Sequence, residues 1–105
     1  FDSDLLRRRR RMIWNGAATA TVVVEPDGAL AAPVQLSAPG LVDGPADPLR
    51  VRILDAVTQA VEALSDKRAT DDEAVREAAR LAVRRGFRNA LGKKPETEIH
   101  VIRLD

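Results

Sequence analysis

Two groups of side chains in this sequence have types and spacing that chemistry could use. Asp71-Asp72-Glu73 sets three carboxylates in a row, the material of a divalent-cation site. The second group is basic. Arg7, Arg8, Arg9, Arg10 and Arg11 are consecutive, while Arg80, Arg84 and Arg88 recur at i, i+4 and i+8, followed by Lys93 and Lys94. Arginine and lysine in such stripes are what phosphate contacts are made of.

The acids have a simpler reason to be there. They fall at the start of a helical pattern, where negative charge is stabilised by the helix macrodipole. No second acidic cluster or histidine spacing completes a metal site around them. His100 lies in a β-branched stretch, on one face with Glu98, Ile102 and Leu104, and no nucleophile or orienting partner is nominated for it. Cysteine is absent, which excludes disulfides and thiolate zinc sites and suits a reducing compartment. One histidine leaves no all-protein zinc site, and neither a Gly-rich phosphate loop nor G-x-S-x-G is present. The residues therefore nominate no catalytic, cofactor-binding or metal-binding position, and the chain by itself is expected not to be an enzyme.

The basic residues divide differently. Arg7 to Arg11 would spread right round a helix, either as a solvated surface or as a phosphate-contacting stripe. In the later stretch, Glu73 and Glu77 precede Arg76 and Arg80 by three, a helical pairing worth about 0.2–0.5 kcal/mol each. That pairing can reach Arg84 but leaves Arg88, Lys93 and Lys94 without an acid three or four residues before them. Leu81 falls on the same charged side. Contact with RNA or a partner is accordingly expected at Arg7 to Arg11, Leu81, Arg84, Arg88, Lys93 and Lys94.

The elements that must position these residues follow from periodicity. Ser3 can cap a short helix ending near Asn15-Gly16, with Trp14 anchoring it to the body of the domain. Ala17 to Glu25 alternates, with Ala18, Ala20, Val22 and Val24 on one face, and reads as a half-buried strand. Pro26-Asp27-Gly28 supplies a turn. A second strand returns through Leu30, Ala32, Val34 and Leu36, placed at a sheet edge because Pro33 lacks an amide donor. After a loop over 37–47, Asp47-Pro48 opens a first long helix running to about Asp66. Lys67-Arg68-Ala69 link it to a second, antiparallel one.

That second helix opens on Thr70-Asp71-Asp72-Glu73, which has the spacing of a capping box. It carries Val75, Ala79, Ala82, Val83, Gly86, Phe87 and Ala90 as one apolar stripe and closes at Gly92 before Pro95. Thr97 to Leu104 forms the last strand. The fold class is α+β: a two-layer sandwich, ββααβ after a short N-terminal helix, with a three-stranded sheet covered on one face by two antiparallel helices. If each element reverses direction on the one before it, the third strand runs parallel to the first, in spatial order 2-1-3. Residues 1–16 are expected to be a linker end with a short basic helix, and 17–105 the domain proper.

The totals agree with one domain. The 105 residues are 45% hydrophobic and 31% charged, with 3% aromatic, so the core must be built from Val, Leu, Ile and Ala. No apolar run reaches membrane-spanning length, and the basic start precedes no apolar h-region of a signal peptide. A chain beginning at Phe1 reads as a piece cut from a longer protein.

Two stretches carry a resemblance beyond pattern. Arg10-Arg11-Met12-Ile13-Trp14-Asn15-Gly16, followed by Ala18 to Val24, Gly28, Pro33 and Gly40, resembles the start of the C-terminal domain of ribonuclease J. Val75 to Leu104, with Ala82-Val83-Arg84-Arg85-Gly86-Phe87-Arg88-Asn89-Ala90-Leu91-Gly92-Lys93-Lys94-Pro95, looks like that family's closing helix, lysine turn and last strand.

The resemblance implies a bacterial, cytoplasmic parent that degrades RNA by endonucleolytic and 5′-to-3′ exonucleolytic cleavage. Its metallo-β-lactamase core, with an inserted β-CASP domain, would hold zinc through a His-x-His-x-Asp-His type of motif. That motif does not occur in this chain. Zinc, the hydrolase chemistry and its residues are therefore implied for the full-length family enzyme only. What the resemblance implies for this chain is an accessory domain supporting assembly, through dimerisation or partner binding, with the catalytic domains of the same protein and a second copy as partners and no membrane. The alternative reading is an RNA-binding module using the basic helices.

Overall fold

The computed structural model describes residues 3–105, leaving aside the side chains at positions 8, 9, 11, 12 and 13. A first helix, α1 (Ser3–Asn15), precedes strand β1 (Ala17–Val24). The alternation of β1 is realised: Ala18, Ala20, Val22 and Val24 are buried, whereas Thr19, Thr21 and Val23 are half-buried on the opposite face. Strand β2 (Gln35–Ser37) pairs antiparallel with β1, Ala20 opposite Leu36. Strand β3 (Glu96–Arg103) pairs parallel with β1, from Ala17 opposite Glu96 to Val24 opposite Arg103. The sheet order is β2-β1-β3, as the reversal argument expects.

The second strand is shorter than its alternation suggests. Leu30 makes one isolated bridge to Val24, and the Ala31 amide donates to the Val23 carbonyl at 2.8 Å. Ala32 and Pro33 then leave the ladder, and Ala32 is exposed rather than facing inward. Pro33 has no amide to donate and disfavours alternatives for the residue before it, so pairing resumes only at Gln35.

A parallel pair needs a crossover, and the helices supply it. Helix α2 (Pro48–Glu62) starts where Asp47 caps it: Oδ1 accepts from the Leu49 amide at 2.8 Å and Oδ2 from the Asp43 amide at 2.7 Å. It ends four residues earlier than the periodicity implies, at Glu62 rather than Asp66. Ser65 then opens a separate single turn, α3 (Asp66–Ala69), its hydroxyl accepting from the Arg68 amide at 3.3 Å, where a plain link was expected. This turn also displaces the expected capping box. Thr70 closes α3, its hydroxyl donating to the Lys67 carbonyl at 2.9 Å. Helix α4 (Asp72–Leu91) is capped instead by Asp71, which accepts from the Glu73 amide at 3.0 Å. Gly92, at φ 65°, closes α4 with its amide on the Arg88 carbonyl at 2.9 Å.

The core lies between the sheet and the helix pair. Val75, Ala79, Val83 and Phe87 of α4 are fully buried with β1's inward face, beside Ile53, Val57 and Val61 of α2. The two long helices run antiparallel, and at Gly86 they pack closely enough that an added Cβ would fall 2.7 Å from Ile53 Cγ1.

Two arginines fasten distant segments. Arg103, at the end of β3, donates Nε to Asp72 Oδ1 at 2.8 Å, Nη1 to the Glu25 carbonyl at 3.0 Å and Nη2 to the Ala69 carbonyl at 3.0 Å. One guanidinium thus joins the β1 turn, α3 and the start of α4. Arg50 does the same for the loop before α2, donating to the Leu36 carbonyl and, at 2.8 Å, to the Asp43 carbonyl.

Two stability measurements follow. Gly86→Ala forces a methyl against the buried Ile53, an overpacking cost of about 1–3 kcal/mol that outweighs the roughly 0.8–1.0 kcal/mol gained in helix propensity. Urea denaturation should show a net loss of about 1 kcal/mol. Arg103→Ala removes charge-assisted bonds worth about 1.5–3 kcal/mol each in general, and a loss near 2 kcal/mol is expected by the same assay.

Candidate functional site

With the apolar stripe of α4 pressed onto the sheet and α2, its arginines have one direction left, outward. The first two are neutralised by the acids one turn earlier. Arg76 forms an ion pair with Glu73. Arg80 is held by Glu77 through two bonds, Nε to Oε2 at 2.9 Å and Nη2 to Oε1 at 2.6 Å. The bond from Arg80 holds the Glu77 carboxyl below its ordinary range, assisted by the charges of Arg80 and Arg84, and Glu77 in turn raises the Arg80 pKa.

From there on the acids stop. Arg84, Arg85, Arg88 and Lys94 have no carboxylate partner for their side chains among the described residues. With Arg80, Leu81 and Asn89 they line one groove of about 610 Å³. Leu81 is 45% exposed. It also borders a second groove, of about 620 Å³, running between α2 and α4 over Ala60, Leu64, Ala78 and Ala82.

The sequence-nominated residues are therefore only partly brought together. Leu81, Arg84, Arg88 and Lys94 share the groove. Lys93 does not line it: its ammonium sits 5.0 Å from the ring centroid of Trp14. Trp14 is 67% exposed, so it serves as a platform for Lys93 rather than as a buried anchor. The end of α1 is tied down instead by hydrogen bonds from two backbone amides. Asn15 Oδ1 accepts from the Lys94 amide at 2.9 Å, and the Gly16 carbonyl from the Glu96 amide at 3.1 Å. Arg7 lies 3.9 Å from Asp4, and Arg10 is exposed. The side chains of Arg8, Arg9 and Arg11, and the linker reading at Phe1 and Asp2, lie outside the described residues. Arg85 and Asn89 belong to the groove but were not nominated; the i, i+4, i+8 spacing from Leu81 through Arg85 to Asn89 was the signal that could have found them.

His100 is exposed on β3, its Nε2 3.5 Å from Glu98 Oε1. Among the described residues no three His, Cys, Asp or Glu side chains are grouped to hold a metal ion. The zinc implied for the parent enzyme does not fit the donors of this chain, which has one histidine and no cysteine. Among the described residues no helix is long and apolar enough to cross a membrane.

A comparison with protein families gives a match to the model described as the ribonuclease J C-terminal domain over residues 4–104. No curated protein matches the chain.

One helix-capping carboxylate, Asp47, and one ion-paired carboxylate, Glu77, set an acid dependence. Asp47 and Glu77 both have folded-state pKa values below their ordinary ones, Asp47 chiefly because the Asp43 amide donates to it. Each contributes stability that is complete above the unfolded carboxylate range, about pH 4, and is lost as pH falls through the lower folded value. Thermal melts from pH 6 down to pH 2 should show this acid loss, and Glu77→Gln should reduce its steepness.

Proposed function

Because the chain belongs to the ribonuclease J C-terminal domain family, we propose that it is a non-catalytic accessory domain that holds copies of a zinc-dependent cytoplasmic ribonuclease together. The observation that carries this reading is the condition of the two sheet edges. The edge at β2 is blunted: three residues long, preceded by Pro33, and with the Leu36 carbonyl taken by Arg50. The edge at β3 is eight residues long and bears no further strand on its outer side among the described residues.

A long edge strand offers its backbone groups to a matching strand, and a second copy of this chain has one. Two β3 edges would meet antiparallel about a two-fold axis, the self-complementary arrangement of an isologous dimer. On the face away from the helices, Ile102 is 48% exposed and Leu104 41% exposed, and β1 adds Val23 next to Ile102. Pairing would carry this apolar end of the sheet toward the partner. Family membership and the absence of the nuclease motif support the division: the chemistry belongs to other polypeptide of the parent.

Sedimentation velocity of the 105-residue chain across a concentration series tests the reading. Concentration-dependent dimerisation is expected, with Ile102→Lys weakening it by tenfold or more while its melting temperature stays close to that of the parent sequence. A strict monomer at high concentration that also fails to bind the catalytic domains would contradict it.

A further inference from the structure

The face of α4 opposite the sheet is left over by that reading, and its electrostatics call for an occupant. We infer that this face binds the phosphate backbone of single-stranded RNA, with Arg84, Arg85, Arg88 and Lys94 as the phosphate contacts. The choice of RNA as the polyanion rests on the family reading; the anion specificity rests on the side chains alone.

Three observations carry the inference. First, charge on α4 is organised in two halves. Glu73 and Glu77 neutralise Arg76 and Arg80, and then no acid occurs between Ala78 and Lys94. The chain as a whole has a net charge of only +1, whereas residues 78–94 carry six basic side chains and no acid. Second, Arg84 and Arg88 at i, i+4 and Arg85 and Arg88 at i, i+3 are like-charge pairs, which destabilise a helix unless a counter-charge sits between them. Third, the four cations converge on one open groove rather than pointing apart, and its remaining lining is suited to a strand of nucleotides. Asn89 supplies an amide, and Leu81 an apolar surface.

Arg84 and Arg88 stand about 6 Å apart along the axis at 1.5 Å per residue, so they can address separate phosphates of one strand. Guanidinium forks match phosphate oxygens two at a time, which a solvated lysine does less well. Contacts of this kind fix position and carry no base sequence, so binding should be insensitive to sequence.

Fluorescence anisotropy of a labelled 20-nucleotide oligouridylate against the chain, over a salt series, tests this. Neutralising phosphates of a single strand gives a log–log salt slope of about −0.7 per contact. The variant R84Q/R85Q/R88Q should bind at least tenfold more weakly, with a slope shallower by about 2. R84K/R85K/R88K should keep most of that slope, and Arg76→Gln, already paired to Glu73, should change neither. Each variant is first shown to melt like the parent sequence.

No binding at 25 mM salt overturns the inference, and if dimers still form in sedimentation the assembly reading stands without it. An unchanged slope in R84Q/R85Q/R88Q also overturns it, assigning any RNA contact to another surface. So does a variant that binds RNA normally but no longer self-associates, since the face would then be a protein interface.

Discussion

The placement of everything on α4 depends on a single constraint: its apolar stripe fits only one way. Val75, Ala79, Val83 and Phe87 are completely buried against the sheet, and Gly86 lets α2 approach until Ile53 fills the space a side chain would take. Rotating the helix would expose Phe87 and drive an arginine into a core that, among the described residues, contains no buried polar or charged side chain. Burying an unpaired charge costs far more than any surface ion pair returns. The arginine face is thus held outward by the packing of the opposite face, whatever use it is put to.

The parallel pairing of β1 and β3 works alongside this. It obliges the chain to cross over the sheet, and the α2–α3–α4 segment is that crossing. Arg103 then secures the crossing at one end, because a single guanidinium reaches Asp72, Glu25 and Ala69. At the other end of the sheet, Asn15 and Gly16 accept from the Lys94 and Glu96 amides, joining the N-terminal helix to the lysine turn. One surface faces out from the helices and another from the sheet. A domain that both associates and touches a polymer can use them independently.

Much of this was legible in the residues. The alternation of β1, the Asp47-Pro48 opening and the Gly92 stop each rest on local rules, and each appears where those rules put it; the α4 stripe does so from Val75 to Phe87, while Ala90, its expected last member, is exposed. The misses have physical reasons. Thr70 and Asp71 can both cap a helix, and only the formation of α3, which uses the Thr70 hydroxyl, decides between them. The inward alternation from Leu30 to Leu36 overstates β2 because periodicity takes no account of the amide Pro33 lacks. Arg103 and Arg50 were invisible because their acceptors are mostly backbone carbonyls, which no residue type announces. At the candidate surface, charge counting found Arg84, Arg88 and Lys94. It could not see that Trp14 diverts Lys93, because that contact depends on how α1 meets the turn.

The division of labour we propose is that this chain folds, associates and touches RNA, while bond cleavage belongs elsewhere in the parent enzyme. Zinc titration by calorimetry, followed by incubation of the zinc-treated chain with labelled single-stranded RNA, tests that division directly. It predicts no stoichiometric zinc binding and intact RNA. Tight one-to-one zinc binding, accompanied by RNA cleavage that a chelator abolishes, would contradict it.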